Sequence, residues 1–385
     1  MTKNLSCNNS NLITNAGPSD IQYTHCHNYR KKARERITSI DALRAVVLLG
    51  ILLVHTFSCF GFPGIENDTF FGKAIRWGIA FLLSSRCANI FMMLFGISFF
   101  LILRNPNYSS KKFVWRCFVL ALLGVFNKIF YVSDALIWYG IWGMVLICFR
   151  HASAKKLFVL FFIIFTVNGV LVYFVGWNDI LRSYYDYSIT KYSASYHLKD
   201  VLSYPLWKSI LNYVMGVSPF GALSLFLLGY SLAKGGIIEN LQRYVTIKWL
   251  GLFSLAYIVL WIIGSHTGIQ LITDYGFICG AFCYAELFLL LYYKFYPKLR
   301  FLEPYGKLGL TNYSMQGLLG VILSSVLFVP NHWAFEYVLL TMLLFYIIQV
   351  LFSIMWLRHF KYGPLEWLWR CITERKWMEN RINRI

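Results

Sequence analysis

The chain has 385 residues, of which 58% are hydrophobic, 19% aromatic and 14% charged, with a formal net charge of +19. Apolar runs long enough to span a bilayer recur from one end to the other, which marks an integral membrane protein and leaves no room for a separate soluble domain. The basic excess lies in the short loops between these runs, as the positive-inside rule expects, so it reads as topology and contact with anionic lipid rather than nucleic-acid binding.

Residues 1–35 are polar, with Arg30-Lys-Lys-Ala-Arg-Glu-Arg36 closing the stretch. No cleavable signal is expected, because a signal has its apolar core much nearer the start. The reading is a disordered cytoplasmic tail over 1–35, a multi-pass membrane domain over 36–376 and a short cytoplasmic end over 377–385. The sequence predicts an all-α polytopic integral membrane helical bundle with about ten transmembrane helices. They fall near 40–60, 84–103, 113–131, 135–149, 156–176, 208–233, 248–265, 271–295, 309–328 and 334–357. The stretch Phe70–Leu83 is apolar but interrupted by Lys73 and Arg76, and reads as an interfacial helix or a long entry into the second span. Even alternation of basic and charge-poor loops puts both termini in the cytoplasm. Segment 177–207, with tyrosines among Arg182, Lys191 and Lys199, is expected to be an outer interfacial loop.

The first span carries the most informative residues. Asp41 and Arg44 stand at its mouth and His55 lies deep within it. Arg44 and His55 are eleven helical steps apart, which at ~100° and ~1.5 Å per step puts them on nearly one face, roughly 16 Å from each other. Ionisable groups in a membrane span are expensive, so they point to function by default. His55 is a candidate general base or acyl acceptor, the alternative being a histidine hydrogen-bonded between helices. Asp41 and Arg44, three apart, pair on one face; Arg44 reads either as an anion ligand or as a residue snorkelling to phosphates. Lys111, Lys112 and Arg116 in the second inner loop could join Arg44 in a phosphate cradle, or serve topology alone. Asp134 opens the fourth span as a candidate to orient His55, or as a helix cap. Glu286, inside the eighth span, is a candidate proton or substrate site. Asn312 and Gln316 share a face of the ninth; they read as substrate contacts or as interhelical glue. Nine cysteines form no CxxC pair, and Cys279 and Cys283 lack further ligands nearby, so no metal site is expected.

Several segments together resemble one family: Arg36-Ile-Thr-Ser-Ile-Asp-Ala-Leu-Arg44 with Leu48-Leu-Gly-Ile-Leu-Leu-Val-His55, Phe91-Met-Met-Leu-Phe-Gly96-Ile, Ser133-Asp-Ala-Leu-Ile-Trp-Tyr139, Tyr305-Gly-Lys-Leu-Gly-Leu-Thr-Asn-Tyr313-Ser-Met-Gln316 and Phe360-Lys-Tyr-Gly-Pro-Leu-Glu-Trp-Leu-Trp-Arg370. The chain thereby resembles the domain-of-unknown-function 418, YeiB-like, bacterial membrane proteins from residue 36 to 376. It departs from them at Ala45, where the family usually has Gly. Many members carry Asn at the position of His55. The resemblance implies kinship with membrane acyltransferases that modify sugars and envelope polymers, in which a basic residue, ten intervening positions and a His form a signature that Arg44 and His55 match. It further implies a protein of the cell membrane that takes acyl-CoA, such as acetyl-CoA, as donor and an envelope glycan or small molecule as acceptor. A transporter of a small or lipid-linked molecule working through Glu286, and a non-catalytic scaffold, are the alternatives.

Overall fold

A computed structural model describes residues 38–58, 69–105, 108–130, 134–176, 220–328 and 333–382. The expected tail over 1–35, the loop over 177–207 and cysteines Cys7, Cys26 and Cys59 lie outside these residues. The described residues from Ser39 to Ile382 belong to one compact unit. These residues are mainly helical, with one isolated β-bridge between Phe360 and Arg381.

The helices of ten residues or more are α1 (Thr38–Ser58), α2 (Phe70–Leu83), α3 (Arg86–Leu103), α4 (Ser110–Phe130), α5 (Leu136–Val145), α6 (Ala154–Tyr173), α7 (Gly221–Lys234), α8 (Ile247–Thr267), α9 (Gln270–Lys294), α10 (Gly309–Leu323), α11 (Phe335–Trp356) and α12 (Pro364–Glu374). Among the described residues, six stretches are long and apolar enough to cross a membrane: Thr38–Thr56, Phe70–Leu103, Ala154–Tyr173, Ile247–Thr267, Gln270–Lys294 and Phe335–Trp356. The other expected spans take different forms. Helix α4 is long but carries Lys111, Lys112, Arg116 and Lys128. Helix α5 is short and runs into a 3-10 turn over Leu146–Phe149. Of 208–233, the part described as helix is α7, and α10 is continued by a π turn over Ser324–Phe328.

Local chemistry sets the helix ends. Thr69, Ser153 and Thr246 accept hydrogen bonds from Gly72, Lys156 and Trp249 amides, capping α2, α6 and α8. Gly268, at φ 69°, closes α8 in the left-handed conformation that spares a glycine the usual Cβ clash. Ser85, at φ 64°, breaks α2 from α3.

Burial assigns each helix its place. In α1, 61% of the apolar window is buried, against 6% in α8, so α1 is central and α8 faces outward. Ala42, Ala45, Leu48 and Leu52 of α1 are wholly enclosed. Small residues admit the neighbours: a Cβ at Gly50 would strike Cys87 Sγ of α3, and one at Gly306 would strike the Asp41 carbonyl. Polar bonds then brace α1 to the C-terminal half. Tyr346 Oη donates to the Ala45 carbonyl at 3.0 Å, Gln316 Nε2 donates to Tyr305 Oη at 2.7 Å, and Tyr305 Oη donates to Gln349 Oε1 at 3.1 Å. Asn312 Nδ2 donates to Ser353 Oγ at 3.0 Å.

The C-terminal segment is fastened under α10. The Glu366 carboxylate accepts the backbone amides of Leu310 at 2.8 Å and Thr311 at 3.1 Å, and the Thr311 hydroxyl at 2.5 Å. A carboxylate at the start of α10 satisfies amides that have no partner within the helix and favours the positive end of its dipole. Burial raises the Glu366 pKa above the ordinary 4.5, while the bonds from Thr311 and Leu310 pull it down. The folded chain therefore holds this proton more tightly than the unfolded one, and this group's contribution to stability falls as pH climbs above 4.5 toward the raised value. Glu366→Ala is expected to destabilise the protein by about 2 kcal/mol, since it orphans several donors at once. Glu366→Gln should lose less and flatten the acid end of the stability profile, read as melting temperature against pH; an unchanged profile would remove Glu366 as its source.

Candidate functional site

Helix α1 is unbroken from Thr38 to Ser58, so the eleven steps between Arg44 and His55 run along a continuous helix. At one end Arg44 Nη1 bonds Asp41 Oδ1 at 2.7 Å, and Nη2 donates to Ser98 Oγ of α3 at 2.6 Å. Asp41 is buried at 1% exposure, whereas the Arg44 side chain keeps 20%. The expected i, i+3 pair is present, and it also ties α1 to α3. The guanidinium is oriented by two side chains yet still reachable from outside.

At the other end His55 lines a cavity of ≈ 100 Å³. Ile51 and Val54 of α1, Leu83 of α2, and Cys87, Ala88, Phe91 and Met92 of α3 make its apolar wall; Ser85, Ala135, Tyr139 and Tyr313 complete it. The rings pack on one another: Phe91 and Tyr313 are 6.1 Å apart by centroid, Phe91 and Tyr139 5.7 Å, and Phe95 and Tyr139 4.5 Å. Such offset and tilted arrangements make a stiff wall. The cavity thus offers one imidazole, two phenols and the Ser85 side chain in surroundings that are mainly apolar, the usual make-up of a small-molecule site.

Asp134 lies behind this wall. It is fully buried, takes a hydrogen bond from Asn127 Nδ2 at 3.0 Å, and interacts with the Lys128 ammonium and the Tyr313 hydroxyl. Tyr313 Oη also accepts the Ala135 amide at 3.1 Å. Tyr313 therefore connects the Asp134 cluster to the cavity that His55 lines. Lys128, itself 1% exposed, balances the carboxylate.

The remaining candidates are distributed differently. Lys112 pairs with Glu374 of α12, and the Arg116 guanidinium stacks on Trp369 at 3.9 Å. Trp369 Nε1 donates to the Arg116 carbonyl at 2.9 Å, and Lys111 is exposed. These cations clasp the C-terminal helix, and a phosphate group would have to join or displace those contacts. Glu286 accepts the Thr246 amide at 2.5 Å at the start of α8 and does not line the His55 cavity. Asn312 and Gln316 are enclosed at 1% and 2% exposure and serve the bracing of α1, α10 and α11. Among the described residues no group of three or more His, Cys, Asp or Glu could hold a metal ion.

Tyr139, Tyr313, Lys128 and Arg86 had no assigned role from sequence. Tyr139 and Tyr313 sit inside quoted motifs, but their meeting at His55 depends on how α5 and α10 pack. Lys128 and Arg86 were each visible as a lone basic residue in an apolar stretch, a signal that intramembrane cost makes meaningful.

Residues 232–376 match the family model described as "Protein of unknown function (DUF418)". The chain is 28% identical to an uncharacterized 39.9 kDa protein of the amylase 3' region in Bacillus acidopullulyticus, with 88% of this chain and 94% of that protein covered. It is 25% identical to the uncharacterized protein YxaH of Bacillus subtilis, covering 89% and 95%. It is 29% identical to the uncharacterized protein YeiB of Escherichia coli, covering 89% and 97%. No solved structure matches.

Proposed function

We propose that the chain is a YeiB-like DUF418 protein and that it is a multi-pass membrane acyltransferase that moves an acyl group from acyl-CoA to an envelope glycan or small-molecule acceptor. The observation that carries this reading is a titratable imidazole on the wall of an aromatic cavity, on the same helix as an oriented, accessible arginine. In this reading the protein sits in the cell membrane with about ten spans and both termini in the cytoplasm. Arg44 holds a CoA phosphate, with Lys111, Lys112 and Arg116 adding positive charge at the same leaflet. The pantetheine arm lies along α1, whose run of roughly 16 Å from Arg44 to His55 suits a long thin chain.

His55 takes the proton of the acceptor hydroxyl or amine as that atom attacks the thioester carbon. The carbon–sulfur bond breaks, and CoA leaves as a thiolate that recovers the proton from the imidazolium. Tyr313, whose hydroxyl accepts the Ala135 amide and donates to the Asp134 carboxylate, holds its ring on the cavity wall that His55 shares. A short acyl group, such as acetyl, suits the ≈ 100 Å³ cavity. The transporter alternative rests on Glu286, whose carboxylate is engaged by the Thr246 amide, so no observation favours it.

Thermal unfolding of the detergent-purified protein with acetyl-CoA tests donor binding. Ligand at one hundred times its dissociation constant adds about 2.7 kcal/mol to a reversibly folding protein. The wild type should shift and Arg44→Ala should not. No shift in the wild type at millimolar acetyl-CoA would remove the donor from the reading.

A further inference from the structure

Where α12 is clasped to α4, the chain gathers more positive charge than it balances. The Arg116 guanidinium lies over Trp369 at 3.9 Å, Arg370 over Tyr362 at 4.3 Å and Arg375 over Trp115 at 5.3 Å. Arg370 is close enough to Arg116 to repel it, and the Tyr108 hydroxyl approaches the same guanidinium. Glu374, the carboxylate beside them, is taken by Lys112. Among the described residues no carboxylate forms an ion pair with Arg116, Arg370 or Arg375. Arg116 Nε is buried without a hydrogen-bond partner. Stacking on a ring uses the face of a guanidinium and leaves its in-plane donors unspent. An oxyanion that accepts from two neighbouring guanidiniums fills those donors and offsets their repulsion.

The cluster stands at the Arg44 end of α1. Arg44 is tied to Ser98; the next residue, Phe99, packs on Phe113 at 5.3 Å, and Phe113 is one turn before Arg116 on α4. From the other side, Glu366 of α12 is bonded to the start of α10, and Gly306, just before α10, abuts the Asp41 carbonyl. Arg116, Trp369 and Arg370 are half-buried, while Lys111, Arg375 and Lys376 are exposed, so the cluster is reachable from outside the bundle. Coenzyme A carries a pyrophosphate at the root of its pantetheine arm and a separate 3′-phosphate on the ribose. With the arm starting at Arg44, the pyrophosphate falls to Arg44 and the 3′-phosphate lies beyond it. A phosphate monoester carries about −1.5 to −2 charge at neutral pH, which suits two guanidiniums rather than one.

We propose that Arg116 and Arg370 form a second phosphate subsite that takes the 3′-phosphate of the acyl-CoA donor, which makes α12 part of the donor site. The proposal rests on acyl-CoA being the donor.

The test is thermal unfolding of the detergent-purified full chain with acetyl-CoA, acetyl-3′-dephospho-CoA and inorganic phosphate. The first two differ only in the 3′-phosphate. The wild type should reach half its maximal shift at an acetyl-CoA concentration at least about tenfold lower than that of the dephospho compound. Arg370→Gln should need at least about tenfold more acetyl-CoA than the wild type but no more of the dephospho compound, a selective loss that mere structural damage would not give. Arg116→Gln should behave alike and stands in if Arg370→Gln does not fold. Equal response of the wild type to both donors overturns the subsite and leaves acyl-CoA as the donor. Response to neither removes the donor and the subsite together. A response to inorganic phosphate at the concentrations where acetyl-CoA acts overturns the donor as the source of the phosphate. An undiminished preference for acetyl-CoA in Arg370→Gln overturns the assignment to these residues.

Discussion

His55→Ala is expected to lower acyl transfer by at least ~100-fold while leaving stabilisation by acetyl-CoA intact, removal of a positioned general base being worth about 10² to 10⁴. The two readouts separate because the residues do different things at different ends of α1. Arg44 meets the donor's phosphates; His55 meets the reacting atoms. The substitution enlarges a cavity that already exists, so the fold should survive it. The assay is release of free thiol from acetyl-CoA by purified protein in the presence of an envelope extract. Tyr313→Phe should lose less, since the ring keeps its packing on Phe91 and only the hydroxyl that joins Ala135 and Asp134 is gone. Thiol release by His55→Ala at the wild-type rate would remove the imidazole from the chemistry. Equal loss of CoA stabilisation in that variant would show damage at the wrong end of the helix.

The sequence disclosed features that act within one helix and concealed those that need two. Asp41 and Arg44 are three apart, so their pairing follows from helix geometry, and it is found. The depth of His55 follows from counting along α1. Hydropathy disclosed the long apolar helices, but α4 passes for a span only if Lys128 has a partner, and that partner, Asp134, comes from beyond the helix. The Thr246 amide that engages Glu286 belongs to another helix start, and nothing near Glu286 in the chain announces it. The convergence of Tyr139 and Tyr313 on the cavity is a matter of helix crossings, which periodicity does not encode. Asn312 and Gln316 were readable as a shared face; that this face braces three helices required their neighbours Tyr305, Gln349 and Ser353.

One such crossing makes the second large prediction. Helices α3 and α7 meet where a Cβ on Gly96 would strike the Phe226 carbonyl, and a Cβ on Gly229 would strike the Met93 carbonyl. Each helix thus presents a glycine to the backbone of the other, with glycine and carbonyl three residues apart on both, and the pair runs parallel, since Arg104 at the end of α3 meets Glu239 just beyond the end of α7. Small residues at membrane helix contacts let backbones meet, and the packing itself supplies the attraction. A backbone carbonyl cannot swing aside as a flexible side chain can, so Gly96→Ala and Gly229→Ala must push the helices apart. Each is expected to destabilise by about 1–3 kcal/mol or more, the range for overpacking a close contact. The double variant should cost less than the sum, because helices already parted for one methyl accommodate the other. Gly78 of α2 has open space around its Cβ position. Gly78→Ala should therefore be neutral or stabilising by up to about 1 kcal/mol through helix propensity. Melting temperature and monodispersity in detergent read all four variants. If Gly96→Ala behaves like Gly78→Ala, the close crossing of α3 and α7 is wrong. The Phe91–Gly96 stretch that aligns one wall of the His55 cavity would then need a different support.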